Sequence, residues 1–129
     1  MLPAIIGYAT HVIAAALLLG AFFFVYTRVT PFDEMALIHA GKGAAALSLG
    51  GALIGFSLTL AASIVYNATL VGVIGWAVVA MAVQVVVYAI TSRMLRSVRV
   101  EIEAGNVAMG GFMGSLSLVA GIVNAACLS

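Results

Sequence analysis

Four long apolar stretches, separated by short polar connections, dominate the pattern of hydrophobic and polar positions along the chain. They cover residues 4–27, 43–65, 68–91 and 107–128. Because a helix rises about 1.5 Å per residue, roughly 20 apolar residues cross a bilayer, and each stretch is long enough. The third stretch is rich in valine, which favours strands in water, but a lone segment in lipid satisfies its backbone only as a helix. The pattern predicts an all-α polytopic membrane protein with four transmembrane helices.

Composition supports the same prediction. The chain is 65% hydrophobic and 7% charged, with a mean hydropathy of +1.28, whereas soluble domains are about 25% charged. The first stretch lacks the positive flank of a signal peptide and is longer than such a core. We therefore expect it to remain as a helix of the mature protein.

The charged residues indicate an orientation. All five basic and four acidic side chains lie in residues 28–42 and 93–103, and four spans place these two connections on the same side of the membrane. Because basic residues stay in the cytoplasm, we expect the charged loops to be cytoplasmic and both termini to be periplasmic. The net charge of +1 argues against a nucleic-acid partner, so the expected surroundings are the lipid bilayer and other membrane chains.

The chain also shows signs of internal duplication. A shift of 64 residues aligns LIHAGKGAAALSLGG with EIEAGNVAMGGFMGS, so that Ile38 matches Ile102, Gly41 matches Gly105 and Gly50 matches Gly114. The order of apolar helix, charged connection and small-residue helix occurs twice. This pattern predicts two parallel two-helix repeats, residues 1–65 and 66–129, within one membrane domain.

Small residues distinguish the second and fourth spans from the bulkier first and third spans. The small or polar positions are Gly51, Gly55, Gly110, Gly114, Ser117, Gly121 and Asn124. Such a stripe permits close helix packing, and it could also line a permeation path through exposed carbonyl groups. We expect the second and fourth spans to form the packed centre and the bulky spans to form a lipid-facing shell.

The first connection, PFDEMALIHAGK, predicts a short helix of its own. Thr30 is the expected N-cap, with an acid at Asp33, and Gly41 is the expected C′ residue. Polar residues such as Glu34 and His39 are expected to face water. The second connection fits either a helix or an alternating strand pattern, and both alternatives stay open.

Two segments identify a family resemblance. YTRVTPFDEMALIHAGKGAAALSLGGALIGF and GNVAMGGFMGSLSLVAGIVNAACLS resemble the small bacterial inner-membrane proteins grouped as domain of unknown function 350. Lys42 stands where the family usually has Asn, so the first half loses an N-cap that Asn106 keeps, and Thr59 stands where proline is common. The resemblance implies a four-span membrane protein and brings no established activity.

Few side chains within the predicted spans could carry chemistry. His11 could contact a proton or cation, or it could be a neutral histidine bonded to a neighbouring helix. Gln84, with Tyr88 one turn further on, could line a wet path or join helices by hydrogen bonds. Cys127 is the single cysteine, so an intrachain disulfide is excluded.

The connections hold the remaining candidates for contact with a partner, namely Glu34, His39, Arg99 and Glu103. His39 and Glu103 occupy equivalent positions in the two halves, so a metal site or acid–base pair is conceivable there. However, the spacing fits no ligand pattern, and the chain lacks a nucleophile motif, a phosphate loop and a CxxC pair. We expect no cofactor, no metal and no enzymatic activity.

Two functional hypotheses follow from these patterns. The first is a non-catalytic membrane subunit or scaffold that presents its charged loops to a partner. The second is a small channel or carrier in which several copies arrange their second and fourth spans around a path. A four-helix bundle this small has little interior, so we expect either role to need an oligomer.

Overall fold

The computed structural model describes residues 1–95 and 97–128, and this part of the chain is helical without strands. Four helices are long and apolar enough to span a membrane, which confirms the predicted fold class. Their ends agree with the predicted ends to within three residues. The second connection also contains a helix, which resolves the alternative left open by its sequence. In chain order the helices are α1 (Leu2–Val29), α2 (Glu34–His39), α3 (Gly43–Tyr66), α4 (Leu70–Met94), α5 (Val98–Glu103) and α6 (Val107–Cys127).

The four long helices alternate in direction, so the bundle has two distinct ends. The short helices α2 and α5 lie at one end, which we call the elbow end. The chain termini and the short connection between α3 and α4 lie at the other, which we call the terminal end. Every described side chain with a formal charge therefore belongs to the elbow end.

Helices α3 and α6 run side by side in the same direction and form the closest contact in the bundle. A Cβ atom added to Gly110 would lie 2.2 Å from the carbonyl oxygen of Ala44, and one added to Gly121 would lie 2.2 Å from that of Gly55. The two backbones therefore meet without intervening side chains. Thr59 reinforces this contact, because its hydroxyl donates a hydrogen bond of 2.9 Å to the carbonyl oxygen of Gly121.

The two bulky helices pack differently from each other. Helix α4 contacts both α3 and α6 and buries five residues spread along its length, Val73, Ala77, Ala80, Gln84 and Tyr88. Helix α1 buries Leu18, Phe22 and Tyr26, all towards the elbow end. Both bulky helices thus pack on the α3–α6 pair, α4 along its length and α1 only towards the elbow end.

The two elbows have the same local geometry. Gly41 and Gly105 follow the short helices with φ of 80° and 84°, a region that favours glycine because it has no Cβ atom. This confirms Gly41 as the C′ residue. Asn106 caps α6 by accepting hydrogen bonds from two backbone amides, whereas Lys42 makes no such bond. The predicted difference between the caps is confirmed, while the duplication of residues 1–65 and 66–129 stays a prediction.

The start of α2 differs from the expectation. Asp33, not Thr30, is the N-cap, and its side chain accepts a hydrogen bond of 3.1 Å from the amide of Ala36. Thr30 lies further upstream, and its hydroxyl donates to the carboxyl group of Glu34. Helix α2 therefore begins at Glu34, whose side chain is buried against the bundle.

Candidate functional site

Polar side chains from several helices gather in the half of the bundle nearest the elbow end. None is more than 7% exposed, although the helices around them are apolar. We call this group the buried polar cluster. Its members are Tyr26 of α1, Thr30 after it, Glu34 of α2, Ser48 of α3, Gln84 and Tyr88 of α4, and Ser117 of α6.

Residue spacing places the cluster residues Tyr26, Thr30 and Glu34 in line along the chain. Phe22, Tyr26, Thr30 and Glu34 recur every four residues, a spacing that puts side chains on one face of a helix. The chain bends between Thr30 and Glu34, yet both side chains remain buried and in contact. On α4 the same spacing places Gln84 one turn from Tyr88.

Aromatic contacts join α1 to its neighbours at this level. The rings of Tyr26 and Tyr88 meet edge to face with their centroids 5.4 Å apart. One turn towards the terminal end, the ring of Phe22 stacks on that of Phe56 with centroids 4.4 Å apart. The phenols thus lie on the elbow side of an aromatic pair that is completely buried.

Hydrogen bonding within the cluster is incomplete. The amide nitrogen of Gln84 donates to the carbonyl oxygen of Ala52 over 3.3 Å. Within the described part of the chain, however, the buried Gln84 Oε1 atom and the hydroxyl groups of Tyr26 and Tyr88 have no partner. The hydroxyls of Ser48 and Ser117 lie near Tyr26 without completing a bond to it. Buried polar atoms in native structures nearly always have a partner, often ordered water.

Glu34 is the ionisable member of the cluster outside the four long helices. Burial raises the pKa of its carboxyl group above the usual range, and the nearby charge of Asp33 adds to this effect. The hydrogen bond from Thr30 acts in the opposite direction, because it favours the charged form. Desolvation is the largest cause, so the protonated form is favoured over a wider pH range than in water.

A groove of about 700 Å³ adjoins Glu34 at the elbow end. One wall comes from the first connection, including Arg28 and Asp33, and the other includes Arg99 and Glu103 of α5. Glu34 lines the groove, although only 2% of the residue is exposed. The carboxyl group therefore lies between a charged, open groove and the buried phenols.

The predicted small-residue stripe lies mostly at the contact between α3 and α6. A Cβ atom on Gly51, Gly55, Gly110, Gly114 or Gly121 would come within 2.6 Å of the opposite backbone. Ser117 is also buried there, next to the cluster. Asn124 is only half-buried, but its amide nitrogen is buried without a partner among the described residues. The contact leaves no room for a path between these two helices of one chain.

The other predicted site residues do not come together as a single site. The ring of His11 bonds to the carbonyl oxygen of Gly7 in its own helix, at 2.8 Å, rather than to a neighbouring helix. His39 is exposed and bonds to Met35, whereas Glu103 pairs with Arg99 at 2.7 Å. The described residues contain no group of three or more His, Cys, Asp or Glu side chains that could hold a metal ion.

Glu34 is the candidate whose position differs most from expectation. The sequence suggested a water-facing contact for a partner, but the residue is buried. Tyr26 lies in the first span, one of the two bulky spans that are predicted to face lipid. The four-residue spacing that continues from Tyr26 through Thr30 to Glu34 was the signal that could have linked them, because it predicts a shared face.

The bundle and its elbows define a class, the polytopic α-helical membrane proteins. The family model described as Domain of Unknown Function (DUF350) matches residues 1–128, so the chain belongs to that family. It is 27% identical over 129 residues to the UPF0719 inner membrane protein YjfL of Escherichia coli strain K12, covering 100% of this chain and 98% of that protein. The YjfL protein of Escherichia coli O157:H7 has the same identity and coverage. No solved structure matches the chain.

This protein is accordingly an inner-membrane protein with four apolar helices. The names of the relatives carry a location and no activity. Any more specific role has to be inferred from the geometry of the groove and the buried polar cluster.

Proposed function

We propose that the protein is a non-catalytic subunit or scaffold of an oligomeric membrane complex, with the elbow end in the cytoplasm and both termini in the periplasm. The observation that carries this proposal is the groove at the elbow end. It is wide, open and lined by charged residues of both connections. In a chain with only nine charged side chains, this is where a partner finds polar contacts.

The contact between α3 and α6 supports a structural role. Its glycines are used to bring two helices of the same chain together, which favours packing over a path as the reason for the small-residue stripe. The centre of the bundle is therefore filled by this contact, and its open surface is the groove. A partner segment with both acidic and basic side chains would complement Arg28 and Asp33, which are exposed on one wall.

Native mass spectrometry of the complex, extracted gently from its own membrane, tests this proposal. Arg99→Glu reverses a charge in the groove, and the matched control Arg93→Glu reverses an exposed charge outside it. We expect a stoichiometric partner that is lost from Arg99→Glu and retained by Arg93→Glu. A closed homo-oligomer without any other chain, or equal behaviour of the two variants, would contradict the partner-binding role.

Asn124 favours a second candidate, an oligomeric channel or carrier for an ion or small solute. Its buried amide nitrogen lies towards the terminal end without a partner in the described part of the chain, as expected if another copy or a solute completes it. Liposome flux assays with Asn124→Leu test this role, with the exposed neighbour Val123→Leu as control. Flux that is lost only in Asn124→Leu would support a channel. Gly114→Leu is unsuitable, because it would disrupt the contact with α3.

A further inference from the structure

The buried polar cluster has more hydrogen-bonding capacity than its own side chains satisfy. Three atoms, on Tyr26, Gln84 and Tyr88, lack a partner among the residues that the structure describes, and each of these residues is at least 98% buried. Leaving one buried polar atom unsatisfied costs about 1–3 kcal/mol. Internal water molecules commonly bond to such atoms in pairs or triplets. The arrangement therefore indicates ordered water within the cluster.

The chemistry of the cluster favours a proton as its ligand. Its side chains are hydroxyls, phenols, an amide and a carboxyl group, and the cluster contains no basic side chain. Among the described residues, the titratable or charged groups around Glu34 are Asp33 on its own helix, Tyr26 on α1 and Tyr88 on α4. The basic residues Arg28 and Arg99 line the groove outside the cluster. A buried carboxylate without a cationic partner is costly, so it tends to take up a proton.

The two ends of the cluster differ in their access to solvent. Glu34 lines the groove at the elbow end, so a proton can reach its carboxyl group from there. Towards the terminal end, the stacked rings of Phe22 and Phe56 are both fully buried. The polar groups thus extend inward from one surface and end at an apolar barrier.

In the second elbow, a valine occupies the position that Glu34 occupies in the first. Glu34 begins α2 and Val98 begins α5, both short helices have six residues, and both side chains are 2% exposed. Valine fills the buried position in the second elbow without any polar partner. The acid in the first elbow therefore calls for a reason other than packing.

We propose that Glu34 is a proton-binding site that exchanges with the groove and is joined by ordered water to Tyr26, Tyr88 and Gln84. The site gives the protein a proton-accessible polar column from the elbow end to about the middle of the membrane. Binding adds one proton to the carboxylate of Glu34, and release returns it to the groove. The raised pKa of Glu34 is consistent with this role.

Infrared spectroscopy of the protein in lipid bilayers during a pH titration provides the first test. We expect a protonated carboxyl band that persists above the usual titration range of glutamate and disappears in Glu34→Gln. Glutamine is a close match in shape to the protonated acid, so this variant is expected to fold. The control Glu101→Gln, in the other elbow, should keep the band. Titration of Glu34 in the range of an exposed glutamate would overturn the proposal.

Tyr88→Phe tests the connection to the phenols, with the exposed Tyr66→Phe as its matched control. Loss of the phenol removes a donor that reaches the carboxylate through water, so we expect the pKa of Glu34 to rise further in Tyr88→Phe and to stay unchanged in Tyr66→Phe. Equal titrations of the two variants would overturn the water-linked cluster. Displacement of the proton by added sodium or potassium at fixed pH would overturn it in favour of a metal-ion site.

Discussion

The first and second elbows have matching backbones and different interiors. Each contains a six-residue helix, an alanine and a glycine with φ near 80° before the next long helix begins. The first elbow buries Glu34 at the position where the second buries Val98. Backbone geometry is therefore shared, while the polar site belongs to one half of the molecule. The difference shows that the elbow backbone forms with either residue at this position, whereas the buried carboxyl group is particular to the first elbow.

The long helices that lead into the elbows, α1 and α4, differ in how much of their length is buried. Tyr26 of α1 directs its ring towards Tyr88 of α4, so both helices contribute to one site. However, α1 has no buried residue before Leu18, whereas burial on α4 begins at Val73. Helix α1 is thus held mainly through the cluster and the aromatic pair, and the rest of its length is left for lipid or another chain.

The largest effect is expected where the two halves join. Gly50 and Gly114 are equivalent under the 64-residue shift, yet a Cβ atom at Gly50 meets nothing within 4 Å, whereas one at Gly114 lies 2.2 Å from the carbonyl oxygen of Leu47. Gly114→Val should lower the free energy of unfolding by more than about 3 kcal/mol, because the opposing backbone cannot move aside. Fluorescence of Trp76 during unfolding in mixed micelles measures this. Equal loss in the control Gly50→Val would contradict the asymmetric contact.

Val98→Glu copies the acid of the first elbow into the second. The residue four positions earlier is Met94, which is exposed, so the new carboxyl group lacks the partner that Thr30 supplies to Glu34. We expect a loss of about 2–3 kcal/mol at neutral pH, since a buried polar group would remain unsatisfied. The same unfolding assay at acidic pH should recover part of the loss. A variant as stable as the wild type would show that the second elbow also accepts a buried acid.

Glu34→Val makes the opposite exchange. Valine removes a buried acid together with its hydrogen bond, so the free energy of unfolding should change by less than about 2 kcal/mol. The pH dependence should change more clearly. In the wild type the folded-state pKa of Glu34 is raised, so its contribution to stability is fully present at low pH and is lost as the pH rises through that pKa. Unfolding measured across this range should be flatter in Glu34→Val, and an unchanged slope would assign the pH dependence to another group.

The sequence was sufficient for the fold but not for the buried polar cluster. Length and hydropathy predict the four spans because lipid leaves a lone segment no alternative to a helix. The small size of Gly51 and Gly114 predicts either close helix packing or a path, and the sequence alone leaves both open. The position of Glu34 could not be predicted in this way, because its burial depends on which face of a six-residue helix meets the bundle. That face is set by the bend between Thr30 and Asp33, which depends on tertiary packing.

The smallest expected effect concerns the caps at the ends of the elbows. Asn106 accepts hydrogen bonds from the amides of Ala108 and Met109, and Lys42 makes no side-chain cap at the start of α3. Lys42→Asn should stabilise α3 by about 1 kcal/mol or less. Asn106→Lys should destabilise α6 by slightly more, because Glu101 also loses its 2.6 Å hydrogen bond from Asn106. Each substitution gives one elbow the cap of the other.

Hydrogen–deuterium exchange can localise these small changes. In Lys42→Asn the amides of Ala44 and Ala45 occupy the positions that a capping side chain would bond, so their exchange should slow. In Asn106→Lys the amides of Ala108 and Met109 should exchange faster. Exchange that changes equally along both long helices would point to a global change in stability instead. A change confined to the capped amides would show that each cap acts only on its own helix. The matching backbones of the two elbows lead us to expect this result.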